Sequence, residues 1–159
     1  MNQTCAKSRK NMKEKIDRFM ACNKFAVAGV SRNRNKFGSI VFRELKKKGY
    51  DIVPVNPEMD TFEGEKCFRS VSDLPSGIEA LIVVTSPGTC MTVVREALEK
   101  GINNIFIQQG AQSREVIEYA DNNAGANAIC RHCILMFAKP TGIHKFHERI
   151  ARLFRFYPS

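Results

Sequence analysis

Apolar positions along this chain follow two rhythms. Residues 25–30, 50–55, 78–84, 104–107 and 126–130 carry short apolar runs in which charged groups are few. A strand covered on both faces has this pattern. Between most of them the apolar residues return at helical spacing: Phe37, Ile40, Val41 and Leu45; then Met91, Val94, Ala97 and Leu98; then Val116, Ile117, Ala120 and Ala124. Five strands about 25 residues apart with helices between them predict βαβ units and an open parallel sheet. The fold class expected is α/β, a Rossmann-like doubly wound parallel sheet of about five strands, with the order 3-2-1-4-5 preferred.

Two further helical stripes flank this unit. Met12, Ile16, Phe19 and Met20 predict an amphipathic helix over residues 8–21, and Ile143, Phe146, Ile150, Leu153 and Phe154 predict a second near the other end. The expected organisation is a basic N-terminal helix within residues 1–22, one Rossmann-like domain over 23–138 and a basic C-terminal helix over 139–159. Each flanking helix must bury its apolar face on this domain or on a second copy, so a homodimer is an open expectation.

Punctuation sharpens the element ends. Gly29 permits a tight turn after the first strand, and Gly38 lets the following helix start close to the sheet or to a ligand. Lys46, Lys47 and Lys48 suit the C-terminal end of that helix, and Gly49 can stop it. Pro54 is tolerable in the second strand only where no ladder donor is required. Ser86 with Pro87, and later Ser113, read as helix starts, while Gly101 and Gly125 read as stops. Residues 58–64 read as a polar loop and 67–75 as a connection with room for one helical turn.

With 159 residues, 43% of them hydrophobic, the chain can bury a core without staples. Its six cysteines are therefore expected as reduced thiols. No run is long enough for a membrane span and no secretory pattern opens the chain, so a cytoplasmic protein with no membrane partner is expected. The net charge of +9 is uneven: +5 over residues 1–30, +6 over 31–48, −7 over 51–130 and +5 over 131–159. Basic charge at the first βα unit and at both ends attracts polyanions, either a phosphorylated cofactor or a nucleic acid.

Ligands of open α/β sheets sit beyond the carboxyl ends of the strands. Five segments converge there: Gly29, Val30 and Ser31; Val55, Asn56 and Pro57; Thr85, Ser86 and Pro87; Gln108 and Gly110; and Cys130 through Cys133. Free backbone amides at Ser31 and before Gly38 are expected to receive a diphosphate, with Arg32, Arg34 and Lys36 adding charge and Phe37 opening the helix. Pro57 and Pro87 offer flat walls for an adenine or a pantetheine arm. No catalytic group stands out. Cys130 and Cys133 with His144 and His147 include zinc-ligand types, but the histidine pair is one residue closer than usual, so no metal is assigned. Partly exposed histidine is the simpler account of His132, His144 and His147.

Taken in order, Ala26-x-x-Gly29-x-Ser31, the run from Val53 to Pro57, Gly64-Glu65, Ser72-x-Leu74-Pro75, Gln108-x-Gly110 and Cys130-x-x-Cys133 resemble the small stand-alone CoA-binding proteins. These are similar to the N-terminal CoA-binding domain of the succinyl-CoA synthetase α subunit. The resemblance spans about residues 20–138. It implies coenzyme A or an acyl-CoA as the small-molecule nucleotide ligand, held by Gly29, Val30, Ser31, Arg32, Lys36 and Gly38 with Asn56 and Pro57 beside them. It also implies that Thr85, Ser86 and Pro87 line the pantetheine path; with the ligand so placed, Cys133 near the CoA thiol is expected within reach of a mixed disulfide. The chain is too short to hold the synthetase's second domain with its phosphorylated histidine, so binding without catalysis is expected. Two other functions compete. An NADP-dependent enzyme or nucleotide-responsive redox sensor stays open through Arg32 and Arg34, although Asn56 replaces the acidic ribose ligand of NAD sites. A nucleic-acid binder using the basic termini has charge in its favour and no recognisable motif.

Overall fold

The computed structural model describes the backbone of residues 2–138 and the side chains of residues 11–138. An N-terminal helix α1 (Asn2–Met20) leads into β1 (Lys24–Ala28), α2 (Phe37–Lys47) and β2 (Asp51–Val55). A hairpin of β3 (Thr61–Phe62) and β4 (Glu65–Lys66) follows, then β5 (Ala80–Val83), α3 (Pro87–Glu99), β6 (Asn104–Gln108), α4 (Arg114–Asn122) and β7 (Asn127–His132). A 3₁₀ turn over Ile134–Met136 closes the described chain. The predicted C-terminal helix, His144 and His147 lie outside the described residues.

Five strands form one parallel sheet in the order β2-β1-β5-β6-β7. In the numbering of the sequence prediction this is 2-1-3-4-5, which corrects the expected 3-2-1-4-5. Pro54 supplies the physical reason. The Val55 carbonyl accepts from Gly29 N–H on the β1 side, so the backbone of Pro54 faces the opposite edge. A proline nitrogen has no hydrogen to give a neighbour there. The second strand is accordingly the sheet edge, and its outer side carries an isolated bridge to Phe68, whose N–H donates to the Pro54 carbonyl at 3.0 Å. Residues 56–79 then return the chain past β1, and β5 pairs on the other side.

Parity divides each apolar run between two cores. Phe25 and Val27 of β1, Ile82 of β5 and Phe106 of β6 join Phe19 of α1 and Val41, Phe42 and Leu45 of α2 in one layer. Ala26 and Ala28, Leu81 and Val83, and Ile105 and Ile107 join Val94 and Ala97 of α3 and Val116 and Ala120 of α4 in the other. The alanines of β1 face α3, whereas Phe25 and Val27 face α1 and α2. Ala124, expected inward, is exposed, because α4 stops at Asn122 and the chain has already entered its turn. Met12, Ile16 and Met20 pack on the first layer, so the apolar stripe of α1 is covered by this domain itself. Cys22, Cys67, Cys90, Cys130 and Cys133 are free thiols.

Candidate functional site

The observed strand order places the switch in chain direction between β1 and β5, the point at which ligands of such sheets enter. Here the β1 and β5 exits touch. Gly29 has φ +110°, and a Cβ built on it would lie 2.6 Å from the Val84 carbonyl oxygen. A Cβ on Gly38 would lie 2.1 Å from the Gly29 carbonyl oxygen. Both glycines are therefore demanded by backbone packing: they draw the start of α2 down onto the end of β1.

Side chains then fix the turn between them. The Ser39 hydroxyl, fully buried, accepts from Ser31 N–H at 3.0 Å and donates to the Ser31 carbonyl at 2.7 Å. This corrects the expectation of a free Ser31 amide, since a serine eight residues on, in the first turn of α2, has taken it. Ser31 Oγ accepts from Asn33 N–H and Asn33 Oδ1 from Asn35 N–H, so residues 31–35 form consecutive side-chain-closed turns. Lys36 stands at the N-cap of α2, exposed and with no capping side-chain bond. The Lys36 side chain thus takes none of the first-turn amides, and the positive end of a helix favours an anion.

Asn56 is equally committed. Its Nδ2 donates to the Val30 carbonyl at 2.6 Å and its Oδ1 accepts from Glu58 N–H at 2.7 Å. An aspartate lacks the donor for the first of these bonds. The departure from an acidic ribose ligand thus has a structural cause, the tying of the β2 exit to the β1 exit.

Beyond this tie an open groove of about 550 Å³ is lined by Arg32, Arg34, Glu58, Met59, Asp60, Thr61, Phe62 and Glu63. Arg32 Nη2 spans it to the Glu58 carbonyl at 2.7 Å. The hairpin that forms the far wall docks through Phe62 on Phe42 of α2, with ring centroids 5.2 Å apart. Arg43 on α2 clamps it further: one nitrogen lies 3.4 Å from Glu63 and another donates to the Arg34 carbonyl. Ser39, Arg43, Phe62 and Glu63 escaped the sequence reading. A visible signal was Glu63-Gly64 between Phe62 and Glu65, which suits a two-residue hairpin turn.

The remaining predicted residues divide. Val30 and Val55 are buried in the strand ends, Phe37 packs partly buried on the first core layer, and Pro57, Ser86 and Pro87 are exposed. Ser86 is the N-cap of α3 and its hydroxyl pairs with that of Thr89 at 3.2 Å. Thr85 Oγ1 is buried at the β5 exit without a hydrogen-bond partner. Gln108 turns inward, 2% exposed, and accepts from Ile134 N–H at 3.2 Å, while Gly110 N–H donates to Gln112 Oε1. Cys133 is buried, and burial pushes its thiol up, offset in part by the Leu135 amide, Gln108 and the Met136 amide. A raised, covered thiol is a poor nucleophile for disulfide exchange. No group of three or more metal-ligating side chains occurs among the described residues.

A family model described as a CoA binding domain matches residues 23–139. The chain belongs to this CoA-binding-domain family. Within it, the chain is 27% identical over 130 residues to the α subunit of acetate–CoA ligase (ADP-forming) II of Pyrococcus furiosus, covering 75% of this chain and 28% of that one. It is 27% identical over 127 residues to the Bacillus subtilis protein YneT, covering 80% and 91%. A conserved hypothetical protein from Pyrococcus furiosus superposes with a TM-score of 0.68 at 36% identity, over 72% of this chain and 97% of that one. The chain spans between 12% and 28% of the length of three ADP-forming acetate–CoA ligase relatives, and it matches the small stand-alone members nearly end to end. No helix among the described residues is long and apolar enough to cross a membrane.

Proposed function

We propose that the chain is a binding module for coenzyme A or an acyl-CoA, with the ligand's diphosphate at the N-terminal end of α2. Adenosine then lies toward the groove on the β2 side, and the thiol arm crosses the β5 exit past Thr85, Ser86 and Pro87. The observation that carries this reading is the groove beside the uncapped start of α2, rimmed by the Arg32 and Arg34 guanidiniums. Its volume falls within the roughly 300–1,000 Å³ of small-molecule sites. The unpartnered Thr85 hydroxyl suits an amide of the arm, and family membership supplies the ligand class. An NADP reading gains nothing from Asn56, both ends of whose side chain are engaged.

Isothermal calorimetry with CoA tests the assignment. Wild-type protein is expected to bind, and Arg32→Ala and Lys36→Ala are each expected to weaken binding several-fold, as loss of one charge-assisted contact does. Binding unchanged in both variants removes the diphosphate from this turn; absence of CoA binding by the wild type rejects the function.

A further inference from the structure

We propose that Glu63 is a specificity-determining residue of the groove: its carboxylate holds Arg34 and competes there with a terminal phosphate of the ligand, here the 3′-phosphate of CoA. The inference rests on the CoA reading above. Glu63 sits at the hairpin tip with φ +48°, a left-handed conformation uncommon for a residue with a side chain. One carboxylate oxygen lies 3.4 Å from Arg43 and 3.5 Å from Arg34. The two partners are unequal: the Arg43 side chain is 28% exposed and also clamps the Arg34 carbonyl, whereas that of Arg34 is 73% exposed. An incoming anion can draw the Arg34 guanidinium away while Arg43 keeps Glu63 and the hairpin in place.

Asp60, another acid of the groove, is engaged elsewhere, accepting from Arg69 at 3.2 and 3.0 Å, whereas Glu63 is the acid paired with Arg34. Adenosine and pantetheine leave the CoA diphosphate in different directions. With the thiol arm over β5, the phosphorylated ribose enters the side that contains Arg34. A phosphomonoester carries more charge than a carboxylate and matches the guanidinium fork, so it displaces Glu63 at a cost that Glu63 itself sets.

Calorimetric titration with CoA and with dephospho-CoA tests this on four proteins: wild type, Glu63→Gln, Glu63→Gln with Arg34→Ala, and Glu65→Gln. Glu65 pairs with Lys46 at 2.6 Å on the same hairpin and controls for simple loss of negative charge. Glu63→Gln is expected to bind CoA roughly two- to fivefold tighter, the range an exposed ion pair allows, with dephospho-CoA unchanged. The gain should vanish when Arg34 is also replaced and should be absent in Glu65→Gln. Equal gains for both ligands, an equal gain from Glu65→Gln, or CoA affinity unaltered by Glu63→Gln overturns the inference and leaves the CoA reading standing. Failure of the wild type to bind either ligand overturns both. Should Glu63→Gln not fold, Arg34→Gln carries the test: it is expected to abolish discrimination between the two ligands, and retained discrimination rejects the proposal.

Discussion

At the scale of the residue, two small side chains control the first βα turn. Gly38 leaves no room for a methyl group, because its Cβ position falls 2.1 Å from a backbone oxygen that cannot swing aside. Gly38→Ala is expected to lower stability by about 1–3 kcal/mol through forced separation of α2 from β1. Gly88, in the first turn of α3, has nothing within 4 Å of its Cβ position, so Gly88→Ala should be neutral or stabilise by less than about 1 kcal/mol. Urea midpoints of the two variants check the contrast; equal losses would show that the close approach at Gly38 is not what its lack of a side chain serves. Both turn glycines were legible in the sequence, since only their spacing was needed. Ser39 was not, because a serine hydroxyl folded back on Ser31 looks in sequence like any polar residue of a first helical turn. Asn56 was legible as a strand-exit residue and as a missing acid, but the tie of its amide to the Val30 carbonyl across the strand ends was not.

At the scale of the element, the β3–β4 hairpin decides the shape of the groove. Its two-residue turn puts Glu63 and Gly64 at φ +48° and +81°, the signs a tight hairpin of this hand requires. So short a ladder cannot stand alone and is held by its contacts with α2. Phe62, 7% exposed, supplies the apolar part of that contact. Phe62→Ala is expected to cost about 3 kcal/mol and to weaken CoA binding beyond what Arg32→Ala does, since the whole wall loosens. Thermal unfolding and calorimetry on the same variant check it; a stable variant with full affinity would show that the hairpin is not a wall of the site. Two-residue strands give no alternation to read, which is why this stretch passed as a polar loop. The longer elements were legible for the opposite reason: α3 begins at Pro87 after Ser86, and α4 begins after Ser113, whose hydroxyl accepts from Val116 N–H at 3.3 Å.

At the scale of the whole molecule, the core layer under α3 and α4 imposes an alkaline limit. Burial pushes the Cys90 thiol up to about 12 and, with Asp121 nearby, the Cys130 thiol up to about 11, from an ordinary value of 9.0. An unfolded chain releases these protons first, so the stability they contribute is full below about pH 9 and is lost as pH rises toward the folded values. Urea midpoints from about pH 8 to about pH 11 should fall, and Cys90→Ala should flatten the slope even though it lowers the absolute midpoint. An unchanged slope would mean that Cys90 ionises as readily folded as unfolded. The sequence by itself determined the number of parallel strands, the division of each apolar run into two faces and the glycine-framed turn, because these follow from local periodicity and from backbone space at single residues. Which strands became neighbours, which amide of the first turn was taken and how the hairpin closed the groove were decided by the tertiary structure. Those outcomes depend on contacts between segments distant in the chain: Pro54 leaves a strand edge without a donor, Ser39 occupies the Ser31 amide, and Phe62 finds Phe42.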